Sequence, residues 1–206
     1  MGFPDDLRAA LAAAPDRNLF EYQGREYPQH EINALADATV GLIDAAGVPR
    51  DARIGVIVRN RPLHAAAMLG LIGHGRALTT VYAMQSPDAI ASEIRESRFG
   101  AIIADVENWS DGIEAAVAET GAAAIVLDHR AVRIAPWAGL ETVRATDFSR
   151  IEGEPGLEIL SSGTTGKPKR ILFPFRMLVR AVESVSTART GDDPEPDILT
   201  WPYGGI

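Results

Sequence analysis

The apolar residues of this chain form short continuous runs, separated by stretches in which they recur at helical spacing. Runs of about five apolar residues predict buried strands, and the stretches of about three turns between them predict helices. The predicted strands are 53–58, 78–83, 101–104 and 123–127, and the predicted helices are 61–74, 87–97 and 110–120. Strands that alternate with helices form βαβ units. The pattern therefore predicts an α/β fold, in which helices flank a mainly parallel, doubly wound sheet.

A short helix, a hairpin and a longer amphipathic helix precede this alternation. They are predicted at 5–14, 20–27 and 29–46. The hairpin turns at Gly24, and Gly47 ends the longer helix as a left-handed cap. These elements supply the apolar faces that we expect to cover one side of the sheet.

A region rich in glycine and proline interrupts the alternation at 128–156, where we expect a connection with one short strand. The later elements are predicted strands at 157–160 and 170–173, a helix at 174–188, a polar turn at 190–197 and a strand at 198–201. The chain ends soon after that last strand, so we expect it to be the amino-terminal part of a longer domain. On this interpretation, residues 1–206 comprise a first αβ layer (1–130), a connection (131–156) and a segment around a glycine-rich loop (157–206).

The composition narrows the class of protein. Hydrophobic residues make up 46% of the 206 residues, which is enough for a sizeable core. The net charge of −8 and the pI near 5.0 argue against nucleic acid or an anionic membrane surface as a partner. The chain has no cysteine, which excludes disulfides, zinc sites with cysteine ligands and thiolate nucleophiles. The sequence has neither signal-peptide character nor an apolar run long enough for a membrane span, so we expect a cytoplasmic protein.

The segment 161–169, SSGTTGKPK, lies between two predicted strands and carries candidate chemistry. Gly163 and Gly166 allow the backbone to approach a ligand closely. Hydroxyl groups and successive backbone N–H groups form anion-binding nests, and Lys167 and Lys169 add positive charge. The spacing is not that of a Walker A loop, whose two glycines stand further apart. The residues alone leave two interpretations open, a polyphosphate clamp and a Ser/Gly-rich surface turn.

This segment closely resembles the phosphate-binding signature of the adenylate-forming superfamily, which includes acyl-CoA synthetases, aryl-CoA ligases and peptide-synthetase adenylation domains. Upstream stretches are similar in order and spacing, among them GREYPQHEINALADATVGLIDAAGV and SPDAIASEIRESRFGAIIAD. The resemblance covers residues 20–206. It implies a ligase that uses ATP and Mg²⁺ to convert a carboxylic acid to an acyl-adenylate and then transfers the acyl group to a thiol, with coenzyme A as the expected acceptor.

The same resemblance implies which residues hold the phosphates of ATP. They are Ser161, Ser162, Gly163, Thr164, Thr165, Gly166, Lys167 and Lys169. Thr165 is also implied to lie in the shell of the magnesium ion. No catalytic residue is expected within this chain, because the adenine-contacting segment, the ribose-binding aspartate and the catalytic lysine of the family come later. The expected partners are a small-molecule carboxylate, a thiol acceptor and the remaining carboxyl-terminal part of the same enzyme.

Two other functions remain open at this point, an adenylation domain of a peptide synthetase and a non-catalytic nucleotide-binding or interaction module. The chain also departs from the family pattern, since Arg170 follows the signature lysine where a glycine is usual. Arg170 could add a cation near the phosphates, but a single charge on an edge strand is ordinary, so we expect Arg170 to face solvent.

Histidine and tryptophan are the other side chains with candidate chemistry. The histidines are scattered without metal-ligand spacing, and we expect them on the surface or at helix ends: His30, His64, His74 and His129. The tryptophans are expected to pack in or near the core: Trp109, Trp137 and Trp201.

Overall fold

The computed structural model describes residues 2–161 and 169–188 of the 206-residue chain. Most of the glycine-rich segment, residues 162–168, lies outside the described residues. So do the polar turn predicted at 190–197, the strand predicted at 198–201 and Trp201.

The described part of the chain contains a small hairpin and one large central sheet. In chain order the strands are β1 (Asn18–Tyr22), β2 (Arg25–Pro28), β3 (Ile54–Val58), β4 (Leu78–Tyr82), β5 (Ala101–Asp105), β6 (Ala123–Asp128), β7 (Arg133–Pro136), β8 (Gly156–Ser161) and β9 (Lys169–Pro174). Strands β1 and β2 form the hairpin, and the central sheet has the order β7-β6-β5-β3-β4-β8-β9. Its five inner strands run parallel, whereas β7 and β9 pair antiparallel at the two edges.

Six helices accompany these strands within the described residues. They are α1 (Phe3–Ala12), α2 (Gln29–Ala45), α3 (Pro62–Gly73), α4 (Pro87–Ser97), α5 (Asp111–Thr120) and α6 (Phe175–Ala188). A single 3-10 turn, Val106–Asn108, follows β5. None of these helices combines the length and the apolar character needed to cross a bilayer.

Two apolar cores lie on opposite faces of the sheet, because successive strand residues point to opposite sides. On one face, Val56 packs in a cluster with residues of α2 and α3. On the other face, Ile57 packs with residues of α4 and α5. Strands β3, β5 and β6 are therefore buried on both faces, as their nearly continuous apolar sequences require. The prediction of an α/β fold with a mainly parallel sheet and flanking helices is confirmed.

Local sequence signals set the ends of the helices. The Ser86 side chain accepts a hydrogen bond from the Ala89 N–H at 3.2 Å, and Pro87 occupies the first turn of α4. Gly121 ends α5 with φ near +70°, a left-handed conformation that suits glycine. Its backbone also lies against Ala145, where a Cβ atom would come within 2.7 Å of the Ala145 nitrogen. Gly121 therefore both ends the helix and allows the later connection to pass closely.

Helices α2 and α3 approach each other closely at Gly70. A Cβ atom at this position would lie 2.5 Å from the Ala36 carbonyl oxygen, so only glycine fits without a shift of backbone. This contact holds α3 in place over β3, and it therefore helps to fix the turn that precedes α3.

The elements predicted within the described residues are found with small changes at their ends. Helix α1 begins earlier than predicted, since Pro4 suits a first turn and the Asp5 carboxylate accepts a hydrogen bond from the Gly2 N–H at 3.1 Å. The one strand expected in the 128–156 connection is β7, which pairs with β6. Gly47 caps α2 with φ near +76°, as predicted.

Candidate functional site

The carboxyl ends of the five parallel strands lie at one edge of the sheet, which we call the carboxyl edge. In sheets of this kind, ligands bind outside the carboxyl ends, where neighbouring connections leave toward opposite faces. The connection after β3 leads to α3 on one face, whereas those after β4 and β5 lead to α4 and α5 on the other. The carboxyl end of β3 is therefore the point at which the topology predicts a crevice.

Charged side chains bridge this crevice on the side toward β5. Arg61, which immediately precedes α3, directs its guanidinium at Asp105, the last residue of β5. Its Nη1 donates to Asp105 Oδ2 at 2.7 Å, and its Nη2 donates to Glu107 Oε2 at 2.9 Å. Arg59 makes a second hydrogen bond between the same two turns: its Nε donates to Asn108 Oδ1 at 2.8 Å. These contacts fix the turns after β3 and β5 to each other.

His129, just after β6, completes the cluster. Its Nδ1 lies 3.0 Å from Arg61 Nη1 and 3.2 Å from Asp105 Oδ2. One ring nitrogen cannot accept from Arg61 and donate to Asp105 at the same time, so the imidazole tautomer selects one of these bonds. The expectation that the histidines have ordinary surface positions is wrong for His129, because the parallel strands bring β5 and β6 together.

The ligand atoms of Asp105, Glu107 and His129 lie within 4.8 Å of one another, a spacing that suits a metal ion. The guanidinium of Arg61 already contacts all three of these side chains. Arg61, together with Arg59, whose Nη1 lies 4.0 Å from Glu107 Oε2, offsets the charges of the two carboxylates, and we assign the cluster no metal.

The electrostatics of Asp105 agree with this assignment. Burial alone would raise the pKa of this fully buried carboxyl, but the Glu107 N–H and the Arg61 guanidinium lower it below its usual value. Conversely, burial lowers the pKa of Arg61, but hydrogen bonds to Asp105 and Glu107 outweigh that effect and raise it. Both groups are therefore ionised in the folded protein, and their pairing stabilises the carboxyl edge.

His64 lies beneath this cluster. We expected the surface or a helix end; the residue does lie in the first turn of α3, but it is fully buried rather than exposed. Neither ring nitrogen makes a hydrogen bond of normal geometry within the described residues. Burial lowers the pKa of His64 to about 4, so its imidazole is neutral near pH 7. A neutral ring at this depth acts as part of the core.

The predicted phosphate segment joins the carboxyl end of β8 to the start of β9. Ser161 and Lys169 are register partners at the last rung of the β8–β9 ladder, and Lys169 is exposed. Strand β8 is parallel to β4, so this rung lies at the carboxyl edge, on the side of β3 away from Arg61 and Asp105. Among the predicted site residues, the structure places only these two, and the other six lie outside the described residues.

Buried polar contacts fix the position of β8. The Glu158 side chain, only 5% exposed, accepts a hydrogen bond from Thr79 Oγ1 of β4 at 2.9 Å. Its other oxygen lies 3.2 Å from Arg53 Nη2, next to β3. These contacts set the level at which β8 delivers the phosphate segment to the edge.

Arg170 contradicts the expectation of a solvent-facing side chain. It is only 25% exposed, and its guanidinium pairs with Glu158 at 3.2 Å. The cause is the antiparallel β8–β9 pairing, which turns this position toward α4 rather than toward solvent.

An open groove of about 630 Å³ also lies at the carboxyl edge. Its lining residues follow β5 and β6: Val106, Glu107, Asp128, Arg130 and Ala131. Strands β8 and β6 are separated by β4, β3 and β5, so the groove lies roughly 19 Å along the edge from the Ser161–Lys169 rung. The rung and the groove therefore occupy different parts of the edge.

The sequence as a whole fits one known family. The pattern that defines the AMP-binding enzymes matches residues 7–202 of this chain. The chain belongs to the AMP-binding enzyme family. The match covers the described fold and the phosphate segment together, so the resemblance inferred from the signature is confirmed.

Solved structures share the fold of this AMP-binding chain. Apo MatB from Rhodopseudomonas palustris has a TM-score of 0.69 and 17% identity, over 91% of this chain and 38% of that chain. A benzoate CoA ligase from Burkholderia xenovorans LB400 has a TM-score of 0.67 and 16% identity, over 89% and 36%. VinN in complex with 3-methylaspartate has a TM-score of 0.67 and 22% identity, over 90% and 51%.

A curated protein with similar sequence is bacitracin synthase 1 from Bacillus licheniformis. It is 24% identical over 170 residues, which are 80% of this chain and 3% of that protein. The AMP-binding chain thus spans at most about half the length of these relatives. At these identities the likeness establishes the fold, and the family assignment comes from the match over residues 7–202.

Proposed function

We propose that this chain forms the amino-terminal part of an enzyme that uses Mg–ATP to activate a carboxylic acid as its acyl-adenylate. One observation carries the proposal. The segment 161–169, rich in glycine, hydroxyl groups and lysine, joins β8 to β9 at the carboxyl edge of an AMP-binding fold. Ligands of parallel α/β sheets bind at this edge, and such segments bind phosphate.

In the proposed first step, a carboxylate oxygen attacks the α-phosphorus of ATP. The bond between that phosphorus and the bridging oxygen breaks, and pyrophosphate leaves with its electron pair. The protein's task in such a transfer is to position the groups and stabilise the charge that develops on the leaving oxygens. We assign this task to the backbone and hydroxyls of 161–166 and to Lys167 and Lys169, with Thr165 in the magnesium shell.

In the second step, a thiol sulfur attacks the acyl carbonyl carbon and AMP leaves. Coenzyme A is the proposed acceptor, in keeping with the fold shared with a benzoate CoA ligase. The similarity to bacitracin synthase 1 favours a second candidate, in which a carrier protein presents the thiol, as in a peptide-synthetase adenylation domain. Both candidates share the first step and differ only in the acceptor.

The proposal assigns the remaining catalytic roles to other residues of the same enzyme. Contacts to adenine and ribose, and the catalytic lysine, fall to a carboxyl-terminal part, since this chain spans at most about half the length of the relatives. The proposed domain order is a first αβ layer at 1–130, a connection at 131–156 and the phosphate segment within 157–206.

Exchange of labelled pyrophosphate into ATP tests the first step, using the gene product at its native length. The acids tested would include benzoate, 3-methylaspartate, fatty acids and amino acids. We expect exchange that depends on one class of acid and on Mg²⁺. Absence of exchange with every acid, together with tight binding of ATP, would instead favour a non-catalytic nucleotide-binding module.

A further inference from the structure

Arg170 occupies the position next to Lys169, where the phosphate segment rejoins the sheet. Its Nη1 donates to Glu158 Oε2 of β8 at 3.2 Å. Its Nη2 donates to Ser97 Oγ at the end of α4 and lies 3.6 Å from Glu93 Oε1 in the same helix. One guanidinium therefore joins β9 both to its neighbouring strand and to the helix that covers the sheet.

The side chains that accept hydrogen bonds from Arg170 are themselves buried and held in place. Glu158 and Ser97 are both buried, and Glu158 is also held by Arg53 and Thr79. The Arg170 guanidinium carbon lies 5.6 Å from the centroid of the fully buried Phe99 ring. Charge-assisted bonds to fixed, poorly solvated partners are stronger and more directional than surface ion pairs.

This anchorage matters because β9 is an edge strand of the described sheet. Its backbone ladder joins it to β8 alone, and Arg170 pairs with Leu160, next to the Ser161–Lys169 rung. The Arg170 side chain ties the strand from this position to α4, and so restrains it sideways next to the point where the phosphate segment ends.

Glu93, which lies near the Arg170 guanidinium, also contacts the connection that follows β4 at the carboxyl edge. Gln85, which follows β4, donates from Nε2 to Glu93 Oε2 at 3.4 Å. Burial raises the pKa of Glu93, and the positive charge of Arg170 opposes that shift. Arg170 thus helps to keep Glu93 ionised while Glu93 faces both the turn after β4 and the start of β9.

We propose that Arg170 is a positioning residue, which fixes the start of β9 against α4 and so holds Lys169 at the level where the phosphates of ATP bind. The inference rests on the proposed function. It explains the arginine found where the family usually has glycine, because Arg170 would act on ATP binding by positioning Lys169. Arg170 itself need not touch the nucleotide.

The test compares variants of the native-length gene product in pyrophosphate exchange, with the acid that gives the fastest exchange. We expect Arg170→Met to raise KM for ATP about tenfold while KM for the acid stays within twofold. Arg170→Lys should restore part of the loss, because it keeps the charge but not the forked geometry. A general loss of stability would not separate the two KM values in this way.

Arg95→Met is the matched control. Arg95 lies in α4 itself and, like Arg170, binds a carboxylate, in this case Glu119 of α5 at 2.5 Å, rather than a residue of β8. An unchanged KM for ATP in Arg170→Met, or an equal rise in Arg95→Met, would overturn the inference while leaving the proposed function intact. Failure of the wild-type protein to exchange with any acid would overturn the proposed function and this inference with it.

Discussion

His64 allows a quantitative test of how the interior below the carboxyl edge is built. The residue is fully buried, and burial lowers the pKa of its imidazole from 6.5 to about 4, against the opposing attraction of Asp105. The unfolded chain therefore binds a proton below about pH 6.5, whereas the folded protein stays neutral there. More protons on the unfolded state mean that stability falls as the pH drops through this range.

The magnitude follows from the two pKa values. Between pH 7.5 and 5.5, His64 alone should lower the free energy of unfolding by about 1.3 kcal/mol. His64→Leu removes the titrating ring at similar volume, and it should remove this part of the pH dependence. Urea-induced unfolding at the two pH values measures the difference, and both values lie above the pI near 5.0.

Comparison of the two proteins isolates the contribution of His64. Other groups with shifted pKa values, such as Glu93, whose pKa is raised by burial, contribute equally to wild type and variant and cancel in the difference. His30→Leu is the control, because it removes an imidazole that is 59% exposed. Equal losses of stability in the wild type and in His64→Leu would refute the account of a buried, neutral ring.

Three further substitutions test the packing, the crevice and the phosphate segment. Gly70→Ala should lower the free energy of unfolding by about 2 kcal/mol, because the new methyl group meets the Ala36 carbonyl; unchanged urea unfolding would contradict that contact. Arg61→Met should cost about 3 kcal/mol in the same measurement, because it leaves the buried Asp105 carboxylate without its cation; a cost below about 1 kcal/mol would show that this pair is dispensable. Lys169→Ala should slow acid-dependent pyrophosphate exchange by at least about tenfold, and unchanged kinetics would remove Lys169 from the site.

The alternation of apolar runs and helical stretches was enough to predict the sheet and its flanking helices. It worked because strands buried on both faces need continuous apolar sequence, and β3, β5 and β6 each have one. The apolar pattern does not indicate which residues pair across neighbouring strands. Asp105 was left out of its strand because it is charged, yet it pairs with Leu127 as the last residue of β5.

The side chains that were wrongly placed depend on partners far away in sequence. Arg170 meets Ser97 and Glu158, and no local pattern indicates that β9 folds back beneath α4. His64 did carry a usable signal, since α3 is apolar on nearly all sides and such a helix is buried throughout. Arg61 and Asp105 also had a signal in the sequence, because each closely follows a predicted parallel strand. The carboxyl ends of such strands meet at one edge of the sheet, which brings the two residues together.

Transfer of isotopic oxygen from the acid to AMP tests the central claim most directly. The native-length gene product is given ATP, Mg²⁺, a thiol acceptor and an acid whose two carboxylate oxygens are ¹⁸O, and the products are weighed by mass spectrometry. Because the carboxylate oxygen attacks the α-phosphorus and leaves with AMP, the account predicts AMP with one ¹⁸O and unlabelled pyrophosphate. ADP together with ¹⁸O-labelled inorganic phosphate would instead mean activation through an acyl phosphate, and it would contradict adenylation.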